Sequence, residues 1–213
     1  MKNRFIIIFL LLILLLILLL IFQNRSEEEI IDSNLIYIPN FLDERDYRRI
    51  LALNKEKDTF KFENFRYAKP LSDESVYDIF YHPKYLRLIK KKLNIDNINR
   101  SEFPIEHRYY EDDSPGMHWH TDLLMYEIPQ YEAVYTIRNN TESLTQWKDD
   151  EGKLHKKWTE PNSVLIVKAS GYEHNVTPPK VGEREILKII YTQTDKTNQN
   201  YQNELNRFRN YYH

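Results

Sequence analysis

His120-Thr121-Asp122, His174 and Gly182-Glu183-Arg184 are the residues of this chain whose types and spacing suit chemistry. Two imidazoles and one carboxylate brought together from neighbouring strands can occupy one face of an iron(II) ion, leaving the opposite face for a co-substrate and oxygen. His174 lies 54 residues after His120, an interval long enough for several strands, and Arg184 follows it by ten positions. A buried arginine there can hold a carboxylate in a bidentate fork. On one regular strand His118, His120 and Asp122 share a face. Burying three such groups together is costly unless they are paired or metal-bound. The alternative is a solvated sheet edge that binds nothing. No acid stands at position 120 to complete a triad beginning at His118, so His118 reads as a pocket-lining residue.

These residues need strands to carry them, and from Phe103 the hydrophobic period changes from helical to strand-like. The expected strands are Phe103–Tyr110, Met117–Asp122, Glu132–Arg138, Ser143–Lys148, Leu154–Trp158, Ser163–Lys168, Glu173–Val176 and Arg184–Thr192. Turn chemistry separates them: Ser114-Pro115-Gly116, Asn139-Asn140, Asp149-Asp150-Glu151-Gly152, Pro161-Asn162 and Pro178-Pro179. Upstream, Leu35–Ile38 and Phe62–Ala68 read as strands. Asp43 caps a helix over Glu44–Lys55, Ser72 or Asp73 caps another, and Pro83 opens a third that runs to about Leu93. About eight short strands after a helical N-terminal third fit an α+β, mainly β double-stranded β-helix with N-terminal supporting helices.

Phe5 to Phe22 is an unbroken apolar run of 18 residues, roughly 27 Å as a helix at about 1.5 Å per residue, the thickness of a thin bilayer. It is too long for a signal-peptide core and no small-x-small cleavage site follows, so it reads as a transmembrane signal anchor. Lys2 and Arg4 before it, against Arg25 after it, favour a cytoplasmic N-terminus, which places the domain on the lumenal or extracytoplasmic side. Sequons at Asn99, Asn139 and Asn175 would be available there. The organisation expected is a cytoplasmic segment 1–4, anchor 5–22, stalk 23–33, domain 34–194 and a polar C-terminal helix or tail 195–213.

The chain has no cysteine, which excludes zinc-thiolate sites, disulfides and thiol nucleophiles. Its formal charge of −2 comes from interspersed acidic and basic residues with no basic stripe, which argues against nucleic-acid binding.

The segment from Leu35 to Thr192 resembles the iron(II)- and 2-oxoglutarate-dependent dioxygenases, specifically their prolyl 4-hydroxylase-like branch. The resemblance opens at Ile36-Tyr37-Ile38-Pro39-Asn40-Phe41-Leu42-Asp43-Glu44. It continues through Arg108-Tyr109-Tyr110, Gly116 and His120-Thr121-Asp122, and through Leu144-Thr145-Gln146-Trp147 in place of a glycine-rich hairpin. His174-x-Val176-x-Pro178, Gly182-x-Arg184 and Leu187 close it. It implies iron ligation by His120, Asp122 and His174, with the distal carboxylate of 2-oxoglutarate on Arg184. Tyr110, or its neighbour Tyr109, would fall at the pocket tyrosine, and Met117 stands where a second such tyrosine is often found. The implied reaction consumes oxygen, with ascorbate in support, and hydroxylates a C–H bond of a protein or peptide, proline above all. His-Trp-His-Thr-Asp also resembles phytanoyl-type lipid hydroxylases, so a lipid or sugar substrate and a catalytically silent binding module stand as alternatives. Trp119, Trp147 and Trp158 either line a substrate groove or belong to the core.

Overall fold

The computed structural model describes residues 29–53, 56, 59–63, 66–112 and 114–212. The expected anchor at 5–22 lies outside them, and among the described residues no helix is long and apolar enough to cross a membrane.

Three short helices precede the main run of strands: α1 (Glu44–Leu51), α2 (Glu74–Phe80) and α3 (Pro83–Leu93). Each begins where local chemistry provides a cap. Asp43 accepts the Asp46 amide at 2.9 Å, Asp73 accepts the Ser75 amide at 2.9 Å, and His82 caps α3 with Pro83 at its first turn. The lysines 90–92 occupy the last turn of α3, where cations complement the helix dipole.

A nine-stranded sheet and a four-stranded sheet, all antiparallel, form the body. The large sheet contains β1 (Ile30–Ile31), β2 (Leu35–Ile38), β3 (Lys61–Glu63), β4 (Arg66–Pro70), β5 (Asn99–Arg100), β6 (Glu106–Tyr110), β8 (Tyr131–Asn139), β11 (Ser163–Lys168) and β13 (Arg184–Thr192). The small sheet is ordered β10 (Leu154–Lys157), β9 (Thr145–Lys148), β12 (His174–Val176), β7 (Met117–His120). Two facing antiparallel sheets make the jelly-roll expected from the strand pattern.

Both faces of the large sheet are covered. Ala133, Tyr135 and Ile137 of β8 and Leu187, Ile189 and Tyr191 of β13 pack against Phe41, Ile50, Ile79, Phe80 and Ile89 from the helical side. The alternate residues face the small sheet and the cavity between the two. Near-continuous burial along β13 follows from this two-sided cover.

Several boundaries differ from the sequence reading, and the C-terminal segment takes the helical one of its two expected forms. Ile30–Ile31, assigned to the stalk, pairs with β2. The strand expected over Phe62–Ala68 is divided between β3 and β4, which pair with each other. The C-terminal segment is a helix, α4 (Gln199–Tyr212), packed through Tyr201, Leu205 and Phe208 on Phe103, Met125 and Tyr126. Asn139, the acceptor of the second sequon, is buried and its Nδ2 donates to the Thr159 carbonyl at 2.9 Å, which leaves no room for a glycan in the folded domain.

Candidate metal centre

His120 ends β7 and His174 begins β12, and the two are direct cross-strand partners. Their rings lie 4.4 Å apart, centroid to centroid. Asp122, two residues beyond β7, comes within 3.6 Å of His174 Nε2 through its Oδ2. One ligand atom from each of the three lies within 4.8 Å of the others. Each histidine is oriented by its own backbone: Nδ1 of His120 lies 2.8 Å from the His118 carbonyl, and Nδ1 of His174 lies 3.0 Å from the Tyr172 carbonyl. A carbonyl only accepts, so each Nδ1 carries the proton and each Nε2 is left as a lone-pair donor, the arrangement that metal-binding histidines need. Burial lowers both imidazoles below the ordinary histidine value, and His174 adds to the effect at His120. The pair is therefore neutral, and competent to bind a metal, at neutral pH.

A tight turn sets this pairing. Gly116 has φ +70°, and a Cβ there would stand 2.2 Å from the Val176 carbonyl oxygen of β12. Only glycine lets the turn before β7 approach its partner strand so closely.

Arg184 opens β13 opposite Tyr110 of β6. It is buried, with Nη2 donating to Thr159 Oγ1 at 3.1 Å and to Thr145 Oγ1 at 3.3 Å, while its buried Nε has no hydrogen-bond partner. Burial pulls the guanidinium below its ordinary value without making it neutral. A buried cation with no carboxylate in contact among the described residues, and with an orphaned donor, is costly as it stands, and an entering carboxylate removes the cost.

The triad and Arg184 line one cavity of about 290 Å³ with Tyr110, Met117, Thr145 and Val176. Tyr110 points into it and donates to Met117 Sδ at 3.6 Å. Tyr109 does not: it is buried on the other face of β6, stacked on Tyr67 at 4.8 Å. The choice between the two tyrosines therefore falls to Tyr110, because adjacent strand residues face opposite sides.

His118 and Trp147 are corrections. A bulge in β7 sets Met117 opposite Val176 and His120 opposite His174, four residues against three. The extra residue breaks the regular alternation. Met117 takes the inward position and His118 is exposed, off the cavity lining. Trp147 is buried against Leu35, Tyr37 and Leu165 and stacks on His155 at 5.4 Å. Trp119 and Trp158, each 36% exposed, do not line the cavity either.

Charged residues to which the sequence reading assigned no role also line the cavity, among them Arg66, Glu106, Arg108, Glu132 and Lys188. Glu106 receives Arg108 through a fork, both bonds at 2.8 Å. Lys188 is ion-paired with Glu132, which lies against Asp122. Burial and the charge of Asp122 push Glu132 up to about 7. Burial opposes the charge of Glu106, yet Arg108, Lys188 and Arg66 outweigh it and hold the carboxyl below its ordinary value. The available signal was period two: 106, 108 and 110 on one strand and 184, 186 and 188 on its partner.

No family model matches the chain, and no curated protein matches it. Solved structures do. An oxidoreductase of the 2OG-Fe(II) oxygenase family from Burkholderia pseudomallei superposes with a TM-score of 0.66 at 12% identity, covering 79% of this chain and 88% of that one. A prolyl-4-hydroxylase from Pseudomonas putida gives 0.58 at 13% identity, over 76% of this chain and 93% of that one. A prolyl hydroxylase from Trichoplax adhaerens, solved with a peptide fragment of the hypoxia inducible factor oxygen degradation domain, gives 0.57 at 16%, over 76% and 84%. The chain thus has the fold of the 2OG-Fe(II) oxygenases, prolyl hydroxylases among them, with His120, Asp122, His174 and Arg184 gathered in the cavity between its two sheets.

Proposed function

We propose that the protein is an iron(II)- and 2-oxoglutarate-dependent dioxygenase that hydroxylates a C–H bond, most readily one of a peptidyl residue such as proline. The observation that carries this reading is the facing of two neutral Nε2 donors and one carboxylate into the cavity that also holds the orphaned Arg184 donor. The residues suit the group. His120, Asp122 and His174 would hold the iron, and Arg184, with Thr145 and Thr159 beside it, would hold the far carboxylate of 2-oxoglutarate. Tyr110 lies along the same wall. When bound, the metal supplies the activation of oxygen that converts 2-oxoglutarate to succinate and carbon dioxide and adds one oxygen atom to the substrate. The chain's own part is orientation and exclusion of water. The Nδ1–carbonyl bonds lock the histidine rings, and the apolar stretch of Met117, Leu165, Val167, Val176 and Ile186 leaves part of the wall without polar groups to hold water.

The peptide substrate is supported by the fold shared with prolyl hydroxylases, one of them solved with a peptide. A lipid substrate calls for an apolar tunnel, and the ion pairs lining this cavity speak against one. The apolar run Phe5–Phe22 and its flanking lysine and arginine support a single-pass anchor with the domain lumenal or extracytoplasmic. Protease protection of the domain in sealed microsomes tests that orientation.

The test of activity is succinate release by the full chain in detergent with iron(II), ascorbate, 2-oxoglutarate and oxygen, run beside His120→Ala and with or without a proline-rich peptide. Turnover that requires His120 and rises with peptide is the expected result. Failure to bind iron at all would sink the reading, and turnover indifferent to peptide would remove the peptidyl substrate from it.

A further inference from the structure

Cationic side chains line the cavity at two places. Arg184 stands at one, and Lys188 lies four residues further along the same strand, about 13 Å at the rise of a strand. Arg184 would take the far carboxylate of 2-oxoglutarate, while the Lys188 end borders the metal group through Glu132, which lies against Asp122. The second end carries Arg108 and Lys188, each already paired with a carboxylate, Glu106 and Glu132. Buried ion pairs are poor devices for stability, since well-packed apolar side chains of similar size serve as well or better. Their position on the cavity side of the sheet calls for another use.

Arg108 shows what that use is. It is 6% exposed and lines the cavity. Its Nε and Nη2 are taken by Glu106, while Nη1 makes no hydrogen bond among the described residues. Lys188 likewise has more ammonium protons than Glu132 can accept. A guanidinium edge and an ammonium, both facing one cavity from adjacent strands, form a receptor for a carboxylate.

We propose that this second end is a subsite for a carboxylate carried by the substrate itself, received by Arg108 and Lys188. The carboxylate belongs either to a small organic acid or to an acidic group next to the target residue of a peptide. The inference rests on the oxygenase reading and adds to it the charge of the substrate. Glu106 and Glu132 have a positioning role: they hold the two cations in place until the substrate enters.

The test is calorimetric titration of the full chain loaded with manganese(II) and 2-oxoglutarate. Two matched pairs serve as probes: L-proline against L-prolinamide, and a prolyl peptide with aspartate beside the proline against the same peptide with asparagine. In at least one pair the acid should bind about tenfold or more tightly than its amide, the worth of one charge-assisted hydrogen bond. The pair that responds identifies the source of the carboxylate. The double variant Glu106→Gln/Arg108→Gln, which removes both charges of the pair together and leaves the net charge unchanged, should lose the preference while retaining a cooperative melt. Equal binding of acid and amide, no binding by any of the four probes, or a preference that survives in the folded double variant would each overturn the proposal. Failure to bind 2-oxoglutarate in the loading step refutes the oxygenase reading instead, and is seen before any probe is added.

Discussion

The two sheets divide the labour of the site unequally. The small sheet carries both histidines of the metal group on strands of four and three residues, one of them bulged, with much of its outer surface in water. The large sheet carries Arg184, Tyr110 and the ion pairs on longer strands buried on both faces, with one register shift between β13 and β8 just after Arg184. A metal ion can draw its own ligands into place, so the sheet that holds them needs little burial of its own. A guanidinium that must meet a distant carboxylate has no such help and depends on a rigid frame. On the proposed reading, ligation sits on the lightly built sheet and recognition on the heavily built one.

The sharpest test of this contrast is to remove a ligand. His120→Ala, Asp122→Ala and His174→Ala should each abolish succinate release while leaving the melting temperature nearly unchanged, because the small sheet contributes little to the core. A large loss of stability in these variants would contradict the division. Leu187→Ala strikes the other side. Leu187 is fully buried between the large sheet and the helices, so its truncation should destabilise by about 2–5 kcal/mol in a denaturant titration.

Arg184→Met keeps the bulk of the side chain and removes the fork. The 2-oxoglutarate concentration for half-maximal rate should rise about 10- to 100-fold, the worth of one or two charge-assisted hydrogen bonds. An unchanged requirement would free Arg184 from its role.

Acid should weaken the large sheet through His107. This residue is fully buried, its Nε2 donating to Glu185 Oε1 at 2.8 Å, and burial lowers its imidazole below the ordinary value. Below about pH 6.5 the unfolded chain binds a proton that the folded chain refuses, so stability should fall with pH. The loss is up to about 1.4 kcal/mol per unit until the folded value is reached. His120 and His174, lowered by burial in the metal-free protein, act with the same sign. Melting curves between pH 7.5 and 5.5 would show the fall, and His107→Gln should flatten it. The smallest effect belongs to the outer face of the small sheet. Trp119→Ala removes a cation–π contact with Lys148 at 4.5 Å and should cost only about 0.5–1 kcal/mol.

Much of this molecule was legible before folding. Pro83, Asp43 and Asp73 mark helix starts through chemistry confined to a few neighbouring residues. The eight strands from Phe103 onward show their own period of two, bounded by proline, glycine and asparagine turns. His120, Asp122, His174 and Arg184 could be picked out as a set because metal and carboxylate chemistry admit few residue types. What local chemistry could not settle is direction and partnership. Whether His118 or Met117 faces inward depends on one extra residue in β7 relative to β12, and a bulge is visible only when both strands are paired. Tyr109 and Tyr110 are equivalent until the register of β6 on β13 assigns each a side. Glu106, Arg108, Glu132 and Lys188 look like ordinary strand charges in the chain. They line the cavity only because two sheets close over them, since burial and charge pairing belong to residues far apart in sequence and are decided by tertiary packing alone.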